Sequence, residues 1–313
     1  MSNDNSGAPG AAAFVFPGVA VEPSGAEAAF FDKHRGVMAP FIAQASEAAG
    51  VDLAEVCGHG GLAGLDERNS QLFTVAYSHG VAMVHVDAGI VPAVLAGYSL
   101  GVYAALSASG AVAFGDCLAL AALAYDLMRR ECGGAAYAMG AVVGLTEEET
   151  RGMLASGAFP TVRRTNTNNA TCGVYSGAAP DIAGFFDAAR SRGALSTVTF
   201  DVSIPYHHAD FLGGAAQRFL DAVNKVAWRD SPVPVVSSID QRSLVKAADL
   251  AGFAAQNIAS PVNWQKVAET IAAMGVTTAY ECGPGISLCQ NGRFIEPRLR
   301  YVTVRKLVRR ESP

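Results

Sequence analysis

Gly97-Tyr98-Ser99-Leu100-Gly101 lies between an apolar run, Val91 to Ala96, and a run of small apolar residues, Val102 to Ala108. The first run suits a buried strand and the second a helix, so the pentapeptide predicts a sharp strand-to-helix turn with a serine at its apex. At such a nucleophile elbow the flanking glycines tolerate a crowded backbone. The N–H of the next residue, at a helix N-terminus, can stabilise an oxyanion. The chemistry this suggests is acyl transfer through an acyl-serine. In a chain with 33 glycines the five-residue pattern alone is weak; the strand before it and the helix after it supply its weight.

Working outward, Ala11 to Phe16 reads as a buried strand ending at Pro17-Gly18, followed by a helical stretch from Ala26 to Ala49 and another from Ser70 to Asp87. After the elbow, Phe114 to Cys132 reads as a long helix closed by Gly133-Gly134. The texture then changes: Ala136 to Val143 as strand, Thr146 to Leu154 as helix with a Thr146/Glu149 capping box, Thr161 to Tyr175 as strand material, Pro180 to Arg192 as helix and Leu195 to Val202 as strand. This β-α-β-β-α-β order predicts a ferredoxin-like subdomain over 136–202. Helix Ala209 to Val226, strand Val233 to Ser238, helices within Leu250 to Met274 and strand Thr277 to Glu281 follow. The expected fold is α/β: a large α/β-hydrolase-like domain, 1–135 and 203–313, with a doubly wound, mainly parallel sheet and the smaller unit inserted.

Half of the 313 residues are apolar, ample for a core. Lys plus Arg minus Asp plus Glu is 23 − 28 = −5, so no basic field recommends nucleic acid. The six cysteines, Cys57, Cys117, Cys132, Cys172, Cys282 and Cys289, form no Cys-x-x-Cys pair and are expected to be reduced thiols. Met1 to Ala13 reads as a frayed terminus without a signal-like basic region, and no apolar run is long enough for a membrane span. A cytoplasmic monomer is expected.

A serine nucleophile needs a proton acceptor. Of His34, His59, His79, His85, His207 and His208, only the pair at 207–208 stands where the chain returns from the insert, at the rim of a cleft. His207 is the expected base and His208 the fallback. Phe14-Val15-Phe16-Pro17-Gly18, the elbow, Val202-Ser203-Ile204-Pro205-Tyr206-His207, Ser260-Pro261-Val262-Asn263-Trp264 and Glu281-Cys282-Gly283-Pro284-Gly285 follow one another in order. Together they resemble malonyl-CoA:acyl carrier protein transacylases and the acyltransferases of polyketide synthases, from about Ala12 to Leu307. The resemblance implies Ser99 as nucleophile, His207 as base and an oxyanion hole from the N–H groups of Leu100 and Val19. It also implies a dyad without a carboxylate, the histidine being oriented by a backbone carbonyl at the position of Asn257, next to Gln256. No bound cofactor or metal is implied; the phosphopantetheine thioester of a carrier protein is the substrate arm.

The departures from that family narrow the substrate. Val19-Ala20-Val21-Glu22 stands where the family has Gln-Gly-Ser-Gln, leaving a backbone donor but no side-chain one. By ungapped counting from Ser99, Ala124 occupies the position of the arginine that forks onto the free carboxylate of malonyl. Arg129 and Arg130 lie about 7.5 to 9 Å further along the helix and read as surface charges. Tyr98, Tyr206 and Asn168, with Asn166 and Asn169 beside it, are expected to reshape the acyl pocket together with Ala124 and Asn257. Arg293, Arg298, Arg300, Arg305, Lys306, Arg309 and Arg310 make the C-terminal end basic in an acidic chain, and Arg298 and Arg300 are expected to dock an acidic carrier protein. The resulting expectation is a discrete acyltransferase of polyketide and antibiotic biosynthesis. It would move a non-malonyl acyl group, aminoacyl or dipeptidyl, between donor and acceptor acyl carrier proteins, as similar stand-alone acyltransferases of macrolactam pathways do. An acyl-carrier-protein hydrolase, a malonyl-CoA:acyl carrier protein transacylase and a catalytically silent carrier-binding partner are the alternatives.

Overall fold

The computed structural model describes residues 11–58 and 64–311, with side chains as far as Val308; the segment before Ala11 and His59 lie outside them. Strand β1 (Ala11–Phe16) opens the fold, and helices α1 (Glu27–Lys33), α2 (Arg35–Ala49), α3 (Leu53–Gly58) and α4 (Glu67–Asp87) follow. The helix expected over 26–49 is broken at His34, whose backbone leaves helical geometry at φ −109° and ψ 23° while its N–H caps the carbonyls of Phe30 and Phe31. Strand β2 (Pro92–Gly97) turns through the pentapeptide into α5 (Gly101–Ala108), and α6 (Phe114–Cys132) follows.

Next come β3 (Tyr137–Val143), α7 (Glu147–Ala155), β4 (Arg163–Asn169), β5 (Cys172–Ala178), α8 (Ala179–Ser191) and β6 (Ser196–Thr199). Helix α7 begins with the expected capping box, Thr146 and Glu149 exchanging bonds. The strand material expected over 161–175 divides into the antiparallel pair β4 and β5, joined at Ala170-Thr171. The chain closes with α9 (Ala209–Val223), β7 (Val235–Val236), β8 (Ser243–Leu244), α10 (Ala247–Gln256), β9 (Val262–Asn263), α11 (Trp264–Ala273), β10 (Val276–Glu281), α12 (Ser287–Ile295), β11 (Arg300–Thr303) and α13 (Val304–Glu311).

The larger sheet runs β11-β10-β1-β2-β7-β8. Every neighbour pair in it is parallel except β7 with β8. Strand β1 is covered on both faces: Phe14 and Phe16 enter one core with α4 and α5, whereas Ala13 and Val15 pack with Trp264 and Ile271 of α11. The period-2 alternation of a strand buried on both faces explains why β1 reads as a continuous apolar run. The smaller sheet runs β6-β3-β5-β4-β9. Its β3-to-β6 strands are antiparallel, and β9 adds to β4 in parallel, Asn166 opposite Val262. A segment that lies after α10 in the chain thus completes the sheet built by the insert.

The ends of β1 and β2 place the elbow at the carboxyl edge of the parallel sheet, where open α/β sheets bind ligands. Two glycines make the approach possible. A Cβ on Gly101 would fall well inside contact with the Phe16 carbonyl oxygen, and one on Gly97 would collide with the Val102 nitrogen. Both obstacles are backbone and cannot rotate away. Gly101→Ala is therefore expected to cost about 1 to 3 kcal/mol, the usual penalty of overpacking, and to lower the melting temperature by several degrees; an unchanged melt would show that the two backbones are free to part.

Candidate active site

Ser99 sits at φ 54°, in the left-handed region that residues with a Cβ seldom adopt. Hydrogen bonds on either side hold it there: Tyr98 N–H donates to Phe16 O at 2.9 Å, Gly101 N–H to Tyr98 O at 2.9 Å and Val102 N–H to Ser99 O at 3.0 Å. This geometry brings Ser99 Oγ to 2.7 Å from His207 Nε2. His207, itself at φ 62°, follows Pro205 in the loop after β6 and donates its backbone N–H to Ile258 O at 3.3 Å.

His207 Nδ1 lies 3.0 Å from the Ser260 carbonyl oxygen. A carbonyl only accepts, so Nδ1 carries the proton and the Nε2 lone pair is left for the Ser99 hydroxyl. Burial pushes the imidazole down to about 4, opposed by the carbonyls of Ser260 and Asn257. At neutral pH the ring is uncharged and able to take the serine proton. The orienting carbonyl expected at Asn257 is thus joined by that of Ser260, which makes the direct bond. No carboxylate among the described residues touches the ring, so a Ser-His-acid triad is not present there. Asn257 also works through its side chain, Nδ2 donating to Ser99 O at 3.1 Å.

Ser99, His207, Val19 and Leu100 line one cavity. Ala124, Tyr206 and Asn257 line it as the sequence suggested, joined by Gln71, Tyr103 and Met128. The backbone N–H groups of Leu100 and Val19 are among the atoms beside Ser99 that donate to no described residue. Among the described residues no arginine or lysine contributes to the lining, and Arg129 and Arg130 are exposed. Tyr206 donates its hydroxyl to Glu67 Oε1 at 2.7 Å and accepts from Gln71 Nε2 at 2.6 Å. Burial first, and the Glu67 carboxylate second, raise its pKa well above the ordinary phenol value.

Tyr98 and Asn168, expected at the acyl pocket, do not line this cavity. Tyr98 donates to Asn168 Oδ1 at 2.8 Å and accepts from Asn166 Nδ2 at 2.9 Å, and its ring packs edge-on to Trp264 with centroids 5.7 Å apart. The residue before the nucleophile therefore fastens the elbow of one sheet to β4 of the other. The asparagines lie in β4 rather than in a turn, because Asn166 pairs with both Val174 and Val262. His208, the fallback base, binds the Thr161 carbonyl through Nε2 at 2.8 Å and stacks on Phe211. His79 bonds Ser107 at 2.8 Å, and His85 packs against Phe14 and Tyr280. All six cysteines are free and buried. Arg298 is exposed and pairs with Glu296 at 3.3 Å, Arg300 lies on β11, and neither reaches the cavity.

Gln71, Tyr103 and Ser260 were not singled out from the sequence. Gln71 is 6% exposed on α4, a helix buried almost all round from Asn69 to His85, so no amphipathic stripe in the sequence marked it. Ser260 acts through its carbonyl, which side-chain identity cannot announce.

No protein-family model matches the chain. The chain is 30% identical over 277 residues to the malonyl CoA-acyl carrier protein transacylase of Salmonella typhimurium, spanning 87% of this chain and 89% of that protein. The solved structure of the malonyl CoA-acyl carrier protein transacylase of Coxiella burnetii superposes with a TM-score of 0.88 at 26% identity, covering 96% of this chain and 97% of that one. A malonyl-transacylase solved in complex with its type II polyketide synthase acyl-carrier protein gives a TM-score of 0.85 at 26% identity, covering 94% and 95%. Among the described residues no helix is long and apolar enough to cross a membrane.

His79, His85 and His207 are each pushed from an ordinary value of 6.5 to about 4, chiefly by burial. Between those values the unfolded chain binds protons that the folded chain refuses, so stability present above 6.5 is lost as pH falls toward 4. The melting temperature is expected to fall steadily across that window, and a flat profile would mean that the rings are not held neutral.

Proposed function

The chain belongs to the malonyl-CoA:acyl carrier protein transacylase family, and we propose that it is a variant acyltransferase that carries a non-malonyl acyl group, aminoacyl or dipeptidyl, between polyketide acyl carrier proteins. The observation that carries this is the cation-free cavity: Ala124 lines it and no arginine or lysine does. A malonyl carboxylate buried there would lack a charged partner, a deficit on the order of several kcal/mol.

His207 Nε2 takes the hydroxyl proton as Ser99 Oγ attacks the carbonyl carbon of the incoming thioester. The N–H groups of Leu100 and Val19 receive the oxyanion. The intermediate collapses by breaking the C–S bond, the departing thiolate recovers the proton from His207, and the acyl group remains as a Ser99 ester. The phosphopantetheine thiol of the acceptor then gives its proton to His207 and attacks the ester carbonyl. Ser99 Oγ leaves and is reprotonated. His207 is neutral at rest because burial holds it near 4, so its lone pair is free to take a proton at each half-reaction and the imidazolium gives it up readily.

Docking of the carrier is assigned to the exposed surface around Arg298 and Arg300, where Arg293 and Phe294 of α12 also stand exposed, Phe294 at 82%. Basic groups around an apolar side chain complement an acidic carrier. Malonyl transfer is the second reading, favoured because the relatives named above are malonyl transacylases.

Intact-mass measurement after incubation with malonyl, acetyl, aminoacyl and dipeptidyl carrier thioesters separates these. Labelling by non-carboxylated groups but not by malonyl is expected; preferential malonyl labelling would overturn the proposal, and rapid loss of label without a thiol acceptor would identify a hydrolase. Ser99→Ala is expected to abolish labelling with little change in melting temperature. Ala124→Arg should raise malonyl labelling by at least tenfold relative to acetyl. Charge reversal at Arg298 and Arg300 should raise KM for carrier-bound substrate while leaving kcat/KM for a free pantetheine thioester unaltered; equal effects on both substrates would remove the docking role.

A further inference from the structure

Two amide side chains of the cavity lining, Asn257 and Gln71, have their donor nitrogens committed elsewhere. Asn257 is 4% exposed, its Nδ2 is committed to the Ser99 carbonyl, and its Oδ1 is buried without a partner. An unpaired buried acceptor is costly unless a ligand completes it. Gln71 is fixed in the same sense. Its Nε2 donates to Tyr206 Oη, and that hydroxyl cannot turn round because its own proton is held by Glu67 Oε1. Glu67 is held in turn by the backbone N–H of Ser203 at 3.1 Å and its hydroxyl at 2.6 Å. A carboxylate only accepts, so the chain Gln71 to Tyr206 to Glu67 has one direction. It leaves the Gln71 Oε1 acceptor as the uncommitted atom of that amide. Tyr103, the remaining polar side chain of the lining, carries a hydroxyl that can accept as well as donate.

We infer that Gln71 is a specificity-determining residue: with Asn257 Oδ1 it forms an acceptor pair that recognises an N–H donor, amine or amide, on the acyl chain bound to Ser99. The Glu67–Tyr206 pair is the positioning element that keeps the Gln71 amide from flipping. This rests on the acyl-Ser99 reading above and deepens it, since absence of a cation excludes one kind of chain while the acceptor pair selects another. Gln71 and Asn257 line the same cavity as Ser99 and His207, so the donor belongs to the acyl group itself and not to a distant part of the carrier. A malonyl carboxylate would face both carbonyl oxygens with like partial charge.

The test uses a matched pair of probes, β-alanyl and butyryl thioesters on carrier protein, which share length and differ in an ammonium against a methyl. The ratio of kcat/KM for β-alanyl over butyryl is the readout. Wild-type protein is expected to favour β-alanyl by tenfold or more, and Gln71→Met is expected to shrink that ratio at least tenfold, an effect that a merely structural role would not produce because both probes would suffer alike. Tyr206→Phe, which frees the amide to flip, should shrink it partly. A wild-type ratio near one, or a ratio unaltered in Gln71→Met, overturns the inference, and the wild-type measurement stands even where a variant fails to fold. The two proposals fail differently: labelling by both probes without preference removes only the acceptor pair, whereas preferential malonyl labelling removes the non-malonyl reading as well.

Discussion

Everything at the active site depends on one strained residue, Ser99, held at φ 54° between two backbones that touch. Because Gly97 and Gly101 have no Cβ, α5 can begin directly against the end of β1, and the hydroxyl is thrust out of the sheet toward the later half of the chain. The strain, on the order of 1 to 3 kcal/mol, is opposed by three short-range backbone bonds and by the Asn257 amide, which grips the serine's own carbonyl. Tyr98 adds a longer tether, since its hydroxyl is held by two asparagines of β4. The turn is therefore fixed from both sheets at once.

That double anchoring explains how a dyad can dispense with a carboxylate. The usual acid in a triad fixes the imidazole tautomer and supports the cation that forms. Here the Ser260 carbonyl fixes the tautomer at 3.0 Å. Burial holds the ring neutral at rest, near 4. A carboxylate accepting from Nδ1–H would raise that value and stabilise imidazolium, which helps when the leaving group is a poor one such as an amine. A thiolate leaves readily and needs only a brief loan of the proton, so a weaker support is sufficient for thioester chemistry.

Much of this was legible in the sequence, and the limits are physical ones. Strands β1 and β2, the elbow and the capping box at Thr146 are local patterns, and each is found where periodicity and turn chemistry placed it. His207 could be chosen from its place at the return of the insert. What the chain could not announce was assembled from distant parts. Val262 and Asn263 form a two-residue strand whose existence depends on β4 being there to pair with, and β7 is equally short. Tyr98 and Asn168 read from the sequence as acyl-pocket residues, yet their hydrogen-bonding capacity is spent on joining the elbow to β4 rather than on the cavity. Gln71 and Glu67 come within reach of Tyr206 only because α4 packs beneath the loop after β6, a separation of 135 residues for the first pair and 139 for the second.

The cavity also shows why substrate choice and chemistry can be altered separately in this fold. In the proposed reaction Ser99, His207 and the N–H groups of Leu100 and Val19 would act on the carbonyl and its sulfur or oxygen substituent, atoms common to every acyl thioester, and would be indifferent to what lies beyond. Helices α4 and α6 supply Gln71, Ala124 and Met128, which meet the remainder of the chain. Replacing a guanidinium by the methyl of Ala124 leaves the dyad untouched, since neither Ser99 nor His207 bonds to α6. The effect on a carboxylated substrate is nonetheless large: each 1.4 kcal/mol is tenfold, and an uncompensated buried carboxylate costs several times that. Under the proposed acceptor pair, a chain offering an N–H would instead meet acceptors held by a bond sequence that ends on the Glu67 carboxylate, two steps from Gln71. On that reading the Glu67 carboxylate sets the polarity of the wall without itself lining the cavity, where its charge would oppose the oxyanion proposed to lie at Leu100 and Val19.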